Sequence, residues 1–410
     1  MRVPTLLFVL ALAYLTGACH RTGSNGSPYL FIWSGDQRRV DSDFLAVVDA
    51  DRLSAKYGRI VSTVPVGSTA NQPHHTEYEF PRDGLLFGSG WASGRVYLFD
   101  LTLPMSPRVV TQFSGRDGYN FAHSFARLPN GHVLATFQSQ SQGYAPPGGL
   151  VELTERGDVV RSASAADGTV SRDVIWPYSL AVVPNIDRVI TTDTPMGLPD
   201  WATLPPGSWP FAKVADQATW HVQIWKLSEL RPLTTIALPE DVGQHHLYPG
   251  EPRVLPDGSV YVNTFSCGLF RLRDLSDRPS AALVHSFPGK LTADMEHICS
   301  VPVVIGHFWI QTVATLPGLI ALDISDPEKP VEVSRVVFDS SFHMPHWIAA
   351  DRRGDRVVVT GIEMDWTLIV DVDPTSGALK VDDRFRSAGS SLPGIRTRNV
   401  VVHAALFGPR

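Results

Sequence analysis

The sequence predicts an all-β fold, a seven-bladed β-propeller whose first blade is closed by the C-terminal strand. Short apolar strands recur along the chain at intervals of roughly 50 to 70 residues, which is typical of four-stranded propeller blades. The 33 glycines and 32 prolines stand in short clusters between these strands, as expected for many tight turns. One large β domain therefore accounts for most of the 410 residues.

Six of the seven predicted blades are complete units. In each unit the second strand is a conspicuous apolar phrase, with a strand and a tight turn before it and a further strand after it. These phrases are "LLFGSG" from Leu85, "VLATFQ" from Val133, "VITTDT" from Val189, "VYVNTF" from Val260, "FWIQTV" from Phe308 and "VVVTGI" from Val357.

The seventh unit is divided between the two ends of the chain. "YLFIW" and "FLAVVDAD" supply strands near the N-terminus, whereas "NVVVHAAL" near the C-terminus has no blade of its own. Pairing of the two ends would close the ring and protect the edges of the first sheet. The predicted propeller therefore runs from residue 29 to residue 407.

The segment before the propeller is typical of an export signal. Residues 1–18 contain one arginine, an apolar core and small residues before Cys19, which predicts a lipoprotein-type signal peptide. Cys19 would then carry the lipid, and residues 19–28 would form a flexible tether between the membrane and a periplasmic protein. A plain secretory signal and an uncleaved anchor remain alternatives. All three interpretations place the folded part outside the cytoplasm.

The charge of the chain argues against nucleic acid as a partner. The formal net charge is -6, and no run of lysine or arginine could follow a phosphate backbone.

Four histidines occupy one position of the repeat. His75 and His123 each lie ten residues before the second strand of their unit, and His297 and His346 each lie eleven residues before theirs. This position opens the innermost strand of a blade, so we expect the four side chains to converge at the mouth of the central channel. Neutral imidazoles suit copper or zinc, and copper binds more tightly in the usual order of affinity. The alternative is a polar channel without metal, in which the imidazoles bond one another, water and carbonyls.

The remaining histidines are divided by their place in the repeat. Those predicted to lie near the same mouth, where they could orient the ligands or move protons, are His74, His221, His245, His246 and His343. Those interpreted as structural or solvated are His20, His132, His285, His307 and His403.

A long loop and two cysteines also fall on the predicted mouth. Residues 194–221 carry four aromatic side chains, which predicts an ordered lid over the channel, although packing against a neighbouring blade or partner is an equal alternative. Cys267 and Cys299 belong to adjacent blades at this face. A disulfide is the first expectation in an oxidising compartment, while a thiolate ligand, a redox-active pair and two inert thiols remain open.

Several phrases resemble the selenium-binding protein family, which includes methanethiol oxidase. They include "PHHTEYEFPRDGLLFGSG", "HSFARLPNGHVLATFQ", "PGGLVELTERGDVVRSASAAD" and "NTFSCGLFRL". The resemblance implies a β-propeller, copper bound by histidines, and oxidation of methanethiol by oxygen and water to formaldehyde, hydrogen sulfide and hydrogen peroxide. Selenium-binding members carry a cysteine shortly after the paired histidines. This chain has Glu77, Tyr78 and Glu79 at these positions and lacks that cysteine, so selenium binding there is not expected.

The resulting hypothesis is oxidation of a small thiol by oxygen at a copper site formed by His75, His123, His297 and His346. Glu77 or Glu251 would move protons, although Glu77 is equally explained as a structural carboxylate. A competing hypothesis is a non-catalytic, membrane-tethered propeller that binds a partner protein, copper or selenium. A calcium-dependent hydrolase is disfavoured, since calcium prefers oxygen ligands.

Overall fold

The fold is a ring of seven four-stranded antiparallel sheets, which confirms the predicted seven-bladed β-propeller. The structure is a computed structural model that describes residues 26–140, 143–168, 175–197, 218–289, 298–362, 364–386 and 400–409. The predicted signal peptide with Cys19, most of the predicted lid and His297 lie outside these residues. None of the helices in the described part of the chain is both long and apolar enough to cross a membrane.

The blades follow one another along the chain, and the strands of each are named from the innermost outward. Blade 1 contains β28 (Val400–Phe407), β1 (Tyr29–Asp36), β2 (Phe44–Asp49) and β3 (Ile60–Pro65); blade 2 contains β4 (Pro73–Thr76), β5 (Leu85–Gly90), β6 (Arg95–Asp100) and β7 (Arg108–Ser114). Blade 3 contains β8 (Asn120–Arg127), β9 (Val133–Ser139), β10 (Gly149–Leu153) and β11 (Val159–Ser164); blade 4 contains β12 (Pro177–Val183), β13 (Arg188–Asp193), β14 (His221–Lys226) and β15 (Arg231–Ala237).

The last three blades repeat the same order. Blade 5 contains β16 (Pro249–Val254), β17 (Val260–Thr264), β18 (Gly268–Arg273) and β19 (Ser280–Ser286); blade 6 contains β20 (Cys299–Ile305), β21 (Phe308–Val313), β22 (Gly318–Asp323) and β23 (Val331–Val337). Blade 7 contains β24 (Pro345–Ala350), β25 (Arg356–Gly361), β26 (Thr367–Val372) and β27 (Leu379–Val381). A 3-10 turn (Pro184–Ile186) and one helix, α1 (Asp383–Arg386), complete the described elements.

The C-terminal strand closes the ring as predicted. β28 pairs with β1 in antiparallel register from Leu30 opposite Phe407 to Asp36 opposite Val400. All eight residues of β28 are buried, because this strand is the innermost strand of blade 1 and packs between two neighbouring blades. The closure therefore makes both a backbone ladder and a hydrophobic contact.

Every blade has a break in register at the same level of its innermost strand. In blade 2 the regular pairing of β4 with β5 is interrupted between Pro73 and Thr76, and in blade 3 that of β8 with β9 is interrupted between Ala122 and Phe125. The other five blades show the same irregularity. A β-bulge re-aims the side chains of the unpaired residues. The bulges therefore direct one level of polar side chains towards the common axis.

A buried arginine ties the last blade to the first. Arg356 of β25 donates a hydrogen bond of 2.8 Å from Nε to Asp351 Oδ2. Its two Nη atoms donate to the backbone carbonyls of Ala50 and Ser27 at 2.8 and 2.7 Å. Its guanidinium also lies 4.6 Å from the ring centre of Phe407 in β28. The side chains of Arg356 and Asp351 are only 3% and 1% exposed, so the pair is shielded from solvent and salt.

Replacement of Arg356 by methionine should destabilise the closed ring. The variant leaves the Asp351 carboxylate buried without its cation, so we expect the free energy of unfolding to fall by about 3–5 kcal/mol in urea titrations. Arg335→Met is the matched control, because Arg335 pairs with Glu332 on the surface and its side chain is 47% exposed. Equal stability of the two variants would contradict the role given to Arg356.

Candidate functional site

Five histidines meet inside the central channel at the level of the bulges. They come from four consecutive blades of the ring, and each is at most 1% exposed. They are His346 of blade 7, His403 of blade 1, His74 and His75 of blade 2, and His123 of blade 3.

The five rings form one compact group. His74 and His75 stack with centroids 4.6 Å apart, and His74 Nε2 lies 2.8 Å from His123 Nε2. The centroid of His403 lies 4.1 Å from that of His74 and 4.5 Å from that of His346. Nitrogen atoms of His74, His75 and His403 all lie within 4.8 Å of one another, which is close enough to share one metal ion.

Serine hydroxyl groups lie within hydrogen-bond distance of the Nδ1 atom in three of these five rings. Ser124 Oγ lies 3.1 Å from His75 Nδ1 and 3.0 Å from His123 Nδ1, and Ser300 Oγ lies 2.5 Å from His346 Nδ1. Within the described part of the chain, the Nε2 atoms of His75 and His346 have no hydrogen-bond partner. A buried polar atom normally has a partner. These two nitrogens are therefore placed to bind a group in the channel through their lone pairs.

The imidazoles are held in their neutral form. Burial is the main cause that lowers the pKa of His74, His75, His123 and His403 well below the usual value of 6.5. Neighbouring imidazoles act in the same direction, because each protonated ring would repel the next. Burial also lowers the pKa of His346 to about 3. Neutral imidazole is the form that binds a metal.

Oxygen-bearing side chains occupy the same level in the other three blades. They are Ser179 of blade 4, Glu251 of blade 5 and Ser300 of blade 6. Both Ser179 and Tyr78 donate hydrogen bonds of 2.5 Å to Glu251 Oε2. Glu251 Oε1 lies 3.9 Å from His75 Nδ1 and has no hydrogen-bond partner within the described residues. A carboxylate therefore stands beside the histidine group.

Arg253 balances the charge of this carboxylate. Arg253 Nη1 lies 3.0 Å from Glu251 Oε2, and its guanidinium lies 4.0 Å from the ring centre of Tyr78. Burial alone would lower the pKa of Arg253, but the nearby charge of Glu251 raises it above its usual value. The guanidinium thus pairs with Oε2 of the carboxylate, whose Oε1 atom lies on the side of His75.

An aromatic layer covers the histidines. Trp91 is 1% exposed, and its ring centre lies 5.8 Å from that of His74 and 5.7 Å from that of His123. Tyr144 meets Trp91 edge-on at 5.8 Å. Trp91 Nε1 donates to the carbonyl of Gly197, and the amide of Gly197 donates to the Tyr144 hydroxyl. Met196 and Gly197, near the start of the predicted lid, thus contact the cover of the site, whereas residues 198–217 lie outside the described ranges.

Three of the four predicted metal ligands lie in this group. His75, His123 and His346 converge as the repeat predicts, and His297 lies outside the described residues. The repeat predicts only an orienting role for His74, but its side chain lies within the ring of imidazoles itself. The bulge in β4 accounts for this, since it turns two successive side chains towards the same region.

His403 also lies in the group and is fully buried, which corrects its interpretation as a solvated histidine away from the channel mouth. The signal is present in the sequence, since "NVVVHAAL" is predicted to complete blade 1 and must then be its innermost strand. His403 and Ala404 lie at the bulge of β28, opposite the irregularity between Ile32 and Ser34 of β1. Alignment of the closing strand with the other innermost strands would have included His403.

The two candidate carboxylates for proton transfer have different surroundings. Glu77 accepts a 2.6 Å bond from Arg127 Nε and a 3.1 Å bond from the amide of Phe87. Burial raises the pKa of Glu77, while Arg127 opposes the rise. These contacts are those of a structural ion pair between blades 2 and 3. Glu251, by contrast, adjoins His75.

The other histidines predicted near the mouth lie outside the central group. His221 Nδ1 is 3.5 Å from the buried Asp193, and His245 Nδ1 is 2.6 Å from Asp241. His246 is 7% exposed and packs against Trp220, with ring centres 6.4 Å apart. His343 is exposed, and its carbonyl accepts a bond from Trp366.

The two cysteines form the disulfide that is the first expectation from the sequence. Cys267 and Cys299 are joined, with their Cα atoms 4.9 Å apart. The bond links blades 5 and 6 directly before Ser300, the partner of His346. The alternatives that require a free thiol at these positions are thereby excluded in this structure.

Fold and site together define a seven-bladed β-propeller with a histidine-lined channel. No protein-family model matches the chain. Methanethiol oxidase from Hyphomicrobium sp. is 31% identical over 137 residues, which cover 32% of this chain and 31% of the relative. The match thus spans less than a third of that protein's length. This relative carries the name of an activity found in the family that the sequence phrases resemble.

Solved structures agree on the fold. A hypothetical selenium-binding protein from Sulfolobus tokodaii matches with a TM-score of 0.71 at 15% identity, covering 93% of both chains. The periplasmic gluconolactonase of Pseudomonas aeruginosa matches with a TM-score of 0.58 at 15% identity, covering 86% of this chain and 94% of that one. Identities this low show the shared propeller and nothing about the chemistry.

The metal-free protein should lose stability on acidification. The histidine pKa values are lowered in the folded state, so below about pH 6.5 the unfolded chain binds more protons and folding becomes less favourable. Each such histidine contributes up to about 1.4 kcal/mol per pH unit. Urea unfolding between about pH 7.5 and pH 5.5 measures the slope. His346→Gln should reduce it, and equal stability across this range would contradict the neutral cluster.

Proposed function

We propose that the protein catalyses the copper-dependent oxidation of a small thiol by oxygen, in the manner of methanethiol oxidase. The observation that carries the proposal is the group of five buried, neutral imidazoles, of which two have Nε2 atoms without a partner among the described residues. A purely structural channel would be expected to satisfy such atoms.

The donor set fits copper. The group offers imidazole nitrogen alone, which suits copper and zinc better than calcium or magnesium. His74, His75 and His403 would hold the ion, with His123 and His346 adjacent to them. Copper, when bound, would supply a Lewis acid for the thiolate and a route for electrons to oxygen.

The cover above the histidines favours a small apolar substrate. Trp91, Tyr144 and Phe121 form an aromatic cluster, and Met196 belongs to the same buried apolar group. A charged or long thiol would lose its hydration there without compensation, whereas a short alkyl group would gain contacts.

Glu251 is the group best placed to move protons. Its Oε1 atom is buried, lacks a partner among the described residues and lies beside His75. It could take the thiol proton or a proton from the attacking water. The balanced reaction converts methanethiol, oxygen and water to formaldehyde, hydrogen sulfide and hydrogen peroxide, so proton transfer accompanies oxidation.

The setting proposed for this reaction is the periplasm. A lipid at Cys19 would hold the propeller at the membrane, and the small thiol and oxygen would reach the channel from solution. The composition of residues 1–28 supports this placement.

Loss of two central histidines should abolish both copper binding and turnover. We expect about one copper per chain in the native protein and nearly none in His75→Ala/His123→Ala. The variant removes His75, which would hold the ion, and His123, which lies 2.8 Å from His74 and helps to position it. Mass spectrometry measures the metal, and sulfide and peroxide release measure turnover. His132→Ala is the control, since His132 pairs with Glu152 away from the cluster. A variant that keeps its copper while folded would contradict the site. Copper binding without turnover would favour the non-catalytic alternative.

The two candidate carboxylates should respond differently to substitution. In copper-loaded protein, Glu251→Gln should lower kcat by roughly 10²- to 10⁴-fold, the range for loss of a general acid or base. Glu77→Gln weakens the bond to Arg127, so it should lower the melting temperature but leave kcat nearly unchanged. A large loss of kcat in Glu77→Gln, with little change in Glu251→Gln, would instead assign proton transfer to Glu77.

A further inference from the structure

Tyr78 stands directly behind His75, on the side of the imidazole that carries Nδ1. The Tyr78 hydroxyl lies 3.3 Å from His75 Nδ1 and 2.5 Å from Glu251 Oε2. Neither the repeat of histidines nor the proposed reaction assigns it a role.

The direction of these hydrogen bonds follows from the contacts of Glu251 Oε2. This oxygen accepts from Tyr78, from Ser179 and from Arg253 Nη1, which has only hydrogens to donate. The single hydrogen of the Tyr78 hydroxyl is therefore committed to Glu251 Oε2. Towards His75, the hydroxyl oxygen of Tyr78 can then act only as an acceptor.

The same argument decides which ring nitrogen of His75 carries the hydrogen. An acceptor oxygen beside Nδ1 is favourable only if Nδ1 carries the hydrogen, which leaves the lone pair on Nε2. Ser124 Oγ, 3.1 Å from the same Nδ1, can accept from it as well and donate its own hydrogen to His123 Nδ1 at 3.0 Å.

From these contacts we infer that Tyr78 is a positioning residue, which holds His75 in the tautomer whose Nε2 is free to bind a metal. The inference rests on the proposed copper site for its function, but the tautomer itself is a property of the metal-free protein. Outer contacts of this kind orient metal-binding imidazoles and raise their basicity.

The phenol is fixed on both faces. The ring of Trp347 stacks on Tyr78 with centroids 4.9 Å apart and an angle of 8° between the planes. The guanidinium of Arg253 lies over the ring of Tyr78 at 4.0 Å. Since blades 5 and 7 supply these neighbours, the hydroxyl of Tyr78 is held at one place relative to His75.

This role explains why an ion pair is buried beside the channel. A pair such as Glu251 with Arg253 often adds little stability, because both charges lose their hydration. In this channel the carboxylate accepts the hydrogen of Tyr78, and Arg253 holds the carboxylate in place at 3.0 Å. The pair thereby supplies a fixed direction to the hydrogen bonds that end at His75.

The test compares Tyr78→Phe with Tyr178→Phe in otherwise native protein. Tyr178 packs on His123 with ring centres 3.9 Å apart, but its hydroxyl makes no hydrogen bond within the described residues, so it is a matched control. Nitrogen-15 NMR of histidine-labelled, metal-free protein reports which nitrogen of His75 carries the hydrogen, with His75→Gln to assign the signal. We expect the Nδ1–H form in the native protein and in Tyr178→Phe, and a mixture of both forms in Tyr78→Phe.

Copper affinity provides a second measurement. Competition with a chelator should show a roughly 10- to 100-fold weaker affinity in Tyr78→Phe and little change in Tyr178→Phe. A native His75 in the Nε2–H form, or a tautomer unchanged in Tyr78→Phe, would overturn the inference. If the native protein bound no copper, the proposed function would fail, while the NMR comparison would still decide the role of Tyr78.

Discussion

The structure depends on removing a ring of imidazoles from water. Five histidines share a dry channel, so every protonated ring would be both desolvated and repelled by its neighbours, and the group remains neutral. Neutral imidazoles can bond one another, as His74 and His123 do at 2.8 Å, or bind a metal. The chemistry available to the channel follows from this burial more than from any single residue.

The propeller makes that burial possible because the innermost strand of each blade holds its own polar side chains in place. One bulge in each innermost strand sets the level of the polar side chains, and the flanking strands bury the apolar residues that hold it. The ring must close for the opposing blades to stay in place. Two interactions close the ring: the pairing of β28 with β1, and the buried ion pair of Arg356 and Asp351. The disulfide of Cys267 and Cys299 links blades 5 and 6.

The repeat predicts the fold and three central histidines because equivalent positions of a propeller share one axis. His75, His123 and His346 can be found from their distance to the next strand. His403 can also be found, but only by treating the closing strand as an innermost strand. The network of Tyr78, Glu251 and Arg253 cannot, because its members come from two blades that are far apart in sequence and no periodicity links a phenol to a guanidinium. Side-chain hydrogen bonds across the channel require coordinates.

The channel has two unlike sides, and this asymmetry bears on what it can do. Blades 7, 1, 2 and 3 present nitrogen, whereas blades 4, 5 and 6 present the oxygens of Ser179, Glu251 and Ser300. A site that only stored a metal would need the nitrogen side alone. An oxidation that also moves protons needs groups that accept hydrogen within reach of the ligands. His75 lies where the two sides meet, 3.9 Å from the carboxylate of Glu251, so it is the residue through which proton transfer and metal binding would be coupled.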